Sequence, residues 1–387
     1  MRCRYMERFK ISNLFILLSI FLASTSVCAS TLFTRDEHPD FGELINFKTS
    51  DLCQVAEASS KYLSEHESDS KAVHAGEVIG HGVSLARVKD TLAFICQTYR
   101  EDVRAGRNSR LHQQAFLKEH FEFIRWQPDK VTASSIAEKS TNKVKSRLLN
   151  KIPEQQLLLT KYYTKLLEGS NVRTEHYNQA LYQLPIDEQG LTLAEADKQK
   201  DTLTRYRFTR QDIINGALLE KKLAKPLVWL TEEALHDVLL QGTGVLNVDG
   251  KIRYFNVHRN NGIAYDYAIG KRDQARYWYF AEVPSILGYG QEIEHKIVIK
   301  PRVTLAGNIK QLGLGKLMLL SFNVDQKPQA HLAILADEGG AFDNNLFQLD
   351  FLVDSYRGWE DYYRANKHLP DYANVWLLLK KQSQGKP

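Results

Sequence analysis

Residues 330–354 read AHLAILADEGGAFDNNLFQLDFLVD, and the fold turns on this stretch. An apolar run from His331 to Ala336 ends on Asp337, with Gly339 and Gly340 just behind it. Paired glycines let another molecule approach the backbone closely. In LFQLDFLVD, alternation with period two puts Asp350 on one strand face with Leu346 and Leu352. Phe347, Leu349, Phe351 and Val353 occupy the other face. A carboxylate inside so apolar a strand is unusual, because burying it without a partner is costly. The ordinary alternatives are an edge-strand Asp350 and a turn-forming Asp337.

The same texture extends backwards to Leu157. LLLTKYYTKLLEG, VLNVDGKIRYFNV, ARYWYFAEV, HKIVIKPRVTL, KLMLLSFNV and, after the opening stretch, NVWLLLKK are aromatic and β-branched runs broken by turn residues. Asp249-Gly250 between two such runs predicts a hairpin. The first third is different. Val83, Val88, Leu92, Ile95 and Cys96 recur at helical spacing, and the spacing over Phe116–Trp126 predicts a second helix. The polar stretch from Ala133 to Lys151 reads as a linker or an exposed helix. Helices followed by many strands predict an α+β fold with a barrel-like sheet.

Arg2, Arg4, Arg8 and Lys10 precede the apolar run Leu14–Ala23, and Val27-Cys28-Ala29 fits a small-residue cleavage site. Residues 1–29 are therefore expected to be a signal peptide, giving a periplasmic protein that meets the membrane only if Cys28 is lipidated. Its removal lowers the formal charge from +5 to +2, which gives no electrostatic case for nucleic acid. Cys53 and Cys96 remain, each in an apolar-periodic segment; one disulfide between helices and two buried thiols are equally compatible with that. About 358 residues exceed one comfortable core, so two domains are expected.

The sequence has no GxSxG elbow, no HExxH and no phosphate-cradling loop, and its histidines do not cluster at ligand spacing. No metal or cofactor is expected. What stands out is an order of short motifs. Thr160-Lys161-Tyr162-Tyr163-Thr164 comes first, then Tyr182 with Pro185, Thr209-Arg210 with Ile213, and Gln241-Gly242-Thr243-Gly244. Asn261-Gly262 with Tyr265 follows, then Asp337-Glu338-Gly339-Gly340-Ala341-Phe342, Asp350, and finally Val375-Trp376-Leu377.

In this order the motifs resemble the membrane-bound lytic transglycosylase A family, with its C-terminal three-aspartate domain, over roughly Val83 to Leu379. The resemblance implies a double-psi β-barrel carrying an inserted second β-rich domain. Its parts would be a helical segment 30–156, the insert at 157–285 and the barrel at 286–387. It implies cleavage of peptidoglycan glycan strands between N-acetylmuramic acid and N-acetylglucosamine, leaving 1,6-anhydro ends. One carboxylic acid suffices for that chemistry, because the sugar's own C6 hydroxyl is the nucleophile. Asp350 takes the place of the acid and Asp337 supports it. Tyr163, Gln241, Gly242, Gly244, Asn261, Tyr265, Gly339 and Gly340 would hold substrate, and association with other cell-wall enzymes is left open.

The sequence also departs from the family pattern. Thirteen residues separate Asp337 from Asp350 where eleven are usual, and Asp354-Ser355-Tyr356-Arg357-Gly358 replaces a glycine-rich segment. Asp343 or Asp354 could therefore stand in the acid's position. A wall-binding protein without catalysis and a hydrolase using both aspartates are the competing readings.

Overall fold

The computed structural model describes residues 32–45, 47–339, 342 and 344–382. The stretch 1–29 expected to be a signal peptide, with Cys28, and Gly340 and Asp343 lie outside them.

Six strands pair in a closed ring. Tyr372–Lys380 runs antiparallel to Leu317–Val324, which runs antiparallel to Lys327–Asp337. Lys327–Asp337 pairs in parallel with the short strand Thr304–Ala306, itself antiparallel to Gln348–Tyr356. Gln348–Tyr356 pairs in parallel with Leu157–Gly169, and Leu157 and Leu158 return to Ala373 and Tyr372, closing the ring. Closure leaves no free sheet edge within the ring. The strands can be this apolar because both faces are covered: Leu332 to Ala336 and Phe351 to Val353 are all fully buried.

The 13-residue strand Leu157–Gly169 belongs to two sheets. Its first half is in the ring. From Leu166 onward it pairs with Thr243–Val248, which continues through Lys251–Asn260 to Trp278–Val283. Asp249 (φ 52°) and Gly250 (φ 79°) make the expected hairpin between two of these strands. A second hydrophobic cluster, including Leu181, Val228, Leu235, Phe255, Tyr277 and Phe280, lies on this side. The middle of the shared strand, Tyr162 to Thr164, thus falls where the two sheets part.

Helices Thr49–Glu65 and Leu85–Arg104 pack on each other and are joined by a Cys53–Cys96 disulfide. The Ser84 side chain caps the second by accepting from the Arg87 N–H. Two expectations need correction, and between the two readings of the polar stretch the helical one holds. The helix expected over Phe116–Trp126 stops at His120, and Phe121–Trp126 is a strand beside Tyr372–Lys380. Phe121 and Phe123 already alternate there with polar partners, a period-two signal that the preceding helical spacing masks. The polar stretch forms two short helices, Lys130–Lys139 and Lys143–Asn150, capped by Asp129 and Asn142. In HKIVIKPRVTL only Thr304–Ala306 is a strand; Pro301 lacks a donor, and Arg302 has φ 65°.

Candidate active site

Asp337 ends one ring strand and Asp350 lies within another, and both pair with Ala306 of the strand between them. Residues opposite one another project to the same face of a sheet. The two carboxylates therefore share a cleft of about 330 Å³, which Ala306 also lines. Tyr162, Tyr163 and Thr164 form one wall; Gln241 and Gly242 at the end of the helix Glu232–Gln241, with Thr243, Asn256 and Val257 of the second sheet, form the other. Gly339 and Lys296 complete it.

The carboxylates differ in their bonding. Asp337 Oδ2 accepts from the Tyr162 hydroxyl at 2.8 Å, and Oδ1 accepts from the Glu338 N–H at 2.9 Å. Asp350 Oδ1 is buried and has no hydrogen-bond partner. Burial raises both acids from the ordinary aspartate range to about 6. For Asp337 the Tyr162 hydroxyl, the Glu338 amide and the Lys296 charge oppose the rise. For Asp350 the Thr160 hydroxyl and the Lys161 charge oppose it, while the charge of Asp337 adds to it. Two acids that feel each other titrate as a pair. The cleft can thus hold a proton close to neutral pH, on an oxygen free to give it away.

A polar chain links the two sides. Lys296 Nζ donates to Asn256 Oδ1 at 2.9 Å, and Asn256 Nδ2 donates to the Thr243 hydroxyl at 3.0 Å. Burial lowers the Lys296 ammonium, with Asp337 and Glu292 opposing it. Gln241 Oε1 accepts from the Lys165 N–H, holding the end of its helix against the shared strand. Gly242 then turns the chain with φ 73°, a conformation that glycine adopts without strain.

Of the residues singled out from sequence, Asp337, Asp350, Tyr163, Gln241, Gly242 and Gly339 come together here. Gly244, Asn261 and Tyr265 do not line the cleft. A side chain at Gly244 would meet Val238 and Leu246. The buried Asn261 amide donates to the Phe208 and Ala275 carbonyls and accepts from the Tyr277 N–H, so it ties loops together. Tyr265 packs edge-on against Tyr267. Asp354 is exposed and lines a different pocket, with Lys48 and Arg302. Sequence reasoning assigned no role to Tyr162, Lys296 or Asn256. The Tyr162-Tyr163 doublet offered a signal for the first; nothing local marked the other two. Among the described residues, the one group with metal-ligand character, Cys53, Glu57 and Cys96, has its thiols in the disulfide.

A strand ring with a second sheet beside it thus holds two aspartates in one cleft. Residues 158–275 match the family model of the MltA specific insert domain. The fold is similar to that of MltA from Neisseria gonorrhoeae, at 15% identity and a TM-score of 0.55 over 92% of this chain and 93% of that one. It is similar to E. coli MltA with bound chitohexaose, at 15% identity and 0.53 over 91% and 96%. It is also similar to a membrane-bound lytic murein transglycosylase from Agrobacterium tumefaciens, at 18% identity and 0.52 over 85% and 93%. No curated protein matches the chain. Residues 158–275 thus carry that family's insert domain, and the chain has the fold of these proteins.

Proposed function

We propose that this protein is a peptidoglycan lytic transglycosylase, a lyase that cuts between N-acetylmuramic acid and N-acetylglucosamine and leaves 1,6-anhydromuramic acid ends. The observation that carries the reading is the contrast between the two acids. Asp337 has both oxygens engaged, whereas Asp350 keeps a buried oxygen free. Asp350 is accordingly the acid that protonates the leaving oxygen and then takes the proton of the C6 hydroxyl, and Asp337 supports it through its charge. Proton and electron pair balance within the sugar: the C1–O bond breaks as the O6–C1 bond forms, and no water enters. Tyr163, Gln241, Gly242 and Gly339 hold the glycan.

The structural relative from E. coli holds chitohexaose, which favours a glycan as ligand. The insert is taken to run over 157–285 and the ring to be wound as a double-psi barrel within a three-aspartate domain. The protein works in the periplasm; among the described residues no helix is long and apolar enough to cross a membrane.

Mass analysis of products from purified murein tests the reading. Anhydro ends from the wild type, with cleavage falling about 10²–10⁴-fold in Asp350→Asn while glycan binding persists, are expected. Reducing ends would indicate a hydrolase, and binding without cleavage a wall-binding protein. An active Asp350→Asn beside a dead Asp343→Asn would place the acid at the other aspartate.

A further inference from the structure

Tyr163 in the cleft wall stacks on Tyr362 with ring centroids 4.7 Å apart and an interplanar angle of 19°. Tyr362 belongs to the helix Trp359–Asn366, which follows the Asp350 strand. Trp359, Tyr362 and Tyr363 lie at i, i+3 and i+4 and so share one face of that helix. Trp359 is 5.2 Å from Tyr362 and 6.1 Å from Tyr363, centroid to centroid. The rings therefore run without a break from beside Asp350 to the surface, where Trp359 and Tyr363 are 65% and 56% exposed. Large aromatic rings in a row at the surface are the kind of patch that marks an interaction site.

The row is held rigid. The Arg302 guanidinium donates to the buried Asn366 Oδ1 at 2.8 Å, and Asn366 Nδ2 donates to the Tyr362 carbonyl at 2.9 Å. Arg357 pairs with Glu168 of the shared strand just before the helix begins. Rings fixed in advance spend little ordering entropy on binding. Arg364 of the helix pairs with Asp361 and leaves Glu360 of the first turn unanswered within the helix, so its charges give an anionic lipid surface no net attraction. An uncharged sugar ring with apolar faces needs no such attraction, and a strand lying on the rings leads directly into the cleft.

We propose that Tyr363, Trp359, Tyr362 and Tyr163 form a stacking track that docks an extended glycan strand outside the cleft and leads it to the paired carboxylates. The proposal rests on the glycan-cleaving reading and extends it to strand length.

Binding of chitohexaose and chitobiose to the full chain carrying Asp350→Asn, which cannot turn them over, tests it. Trp359→Ala and Tyr363→Ala should each weaken chitohexaose roughly 2- to 10-fold, as expected for a lost aromatic contact, and leave chitobiose unchanged. Trp359→Phe should restore most of the difference. Both positions are exposed, so the variants should melt like their parent. Trp126, Trp229 and Trp376 are buried and Trp278 is partly buried in the second sheet, so the part of an emission change on adding chitohexaose that disappears in Trp359→Phe would report contact at this ring. Unchanged chitohexaose affinity in both alanine variants would overturn the track while leaving the function intact. Failure of the parent to bind either sugar would instead overturn the function on which the track rests. Co-sedimentation with phosphatidylethanolamine–phosphatidylglycerol vesicles that is lost in Trp359→Ala, with chitohexaose binding unaffected, would assign the rings to a membrane and defeat the proposal.

Discussion

Asp337 and Asp350 are brought into one cleft by a shared neighbour, Ala306, to which each is paired from opposite sides. They sit two strand spacings apart, roughly 9–10 Å between backbones. The side chain between them is a methyl group. The room in which a glycosidic bond would lie is thus set by a small residue in a three-residue strand. Ala306→Val adds bulk toward the cleft without adding charge. Chitohexaose affinity, read by titration calorimetry, should fall at least several-fold with little change in far-ultraviolet dichroism. Unaltered affinity would mean that the ligand does not pass between the acids.

The pH dependence of cleavage should report the pair. Burial holds both acids at about 6, so the proton needed by the leaving oxygen is lost as pH rises through that value. Turnover at saturating glycan should therefore decline about tenfold per pH unit well above the upper pKa of the pair. A rate that stays flat to pH 8 would exclude a raised carboxyl as the donor.

The same shifts bear on stability. An aspartate raised from 3.8 to about 6 in the folded chain is protonated more readily there than in the unfolded chain. Its cost to folding is absent below about pH 4, grows as pH rises to 6 and is complete above that. Asp350→Asn removes the charge and should stabilise the fold by about 1–3 kcal/mol at pH 8, and by almost nothing at pH 4. Melting curves at the two pH values check this; equal shifts would place the effect in packing rather than in ionisation.

The sequence marked Asp350 as an acid inside an apolar period-two strand and Asp337 as the end of an apolar run before Gly339, and the fold places both in one cleft. Asp249-Gly250 was legible for the same kind of local reason: the pair's backbone preference matches the hairpin. Lys296 and Asn256 were not, since a lysine in an irregular loop and an asparagine in a strand carry no pattern that names their partners. Their role arises only when the long strand Leu157–Gly169 bridges two sheets. The sugar-contact reading of Asn261-Gly262 and Tyr265 drew on resemblance. In the fold, Asn261 is spent on three backbone groups, and this inward demand is invisible to motif matching.

The Cys53–Cys96 bridge closes a loop with a sequence separation of 43 between two packed helices. Loop-closure entropy for that length corresponds to a stabilisation of roughly 2–4 kcal/mol. Reduction under native conditions, or Cys53→Ala with Cys96→Ala, should lower the urea midpoint accordingly while the cleft keeps its glycan affinity. Loss of affinity in step with the midpoint would tie the helices to the site itself.

His331 gives the last prediction. It stands in the ring strand Lys327–Asp337, 1% exposed, and neither ring nitrogen has a hydrogen-bond partner. It packs on Phe322 at 5.3 Å and meets the Phe351 edge at 5.9 Å. Burial, with smaller contributions from Arg302 and His368, depresses the imidazole to about 3. The folded protein thus keeps this ring neutral, while the unfolded chain protonates it near 6.5. Stability is complete above 6.5 and is lost as pH falls from there toward 3, because protons bind the unfolded state first. Leucine nearly fills the same space and asks for no partner. His331→Leu should therefore stabilise the protein at pH 7 by about 1–3 kcal/mol, the cost of buried polar atoms left unpaired. The gain should widen as the pH is lowered to 4. Urea unfolding of both proteins at pH 7, 5.5 and 4 measures it. A gain that stays constant across the three values would show that protonation of His331 is not what weakens the ring in acid.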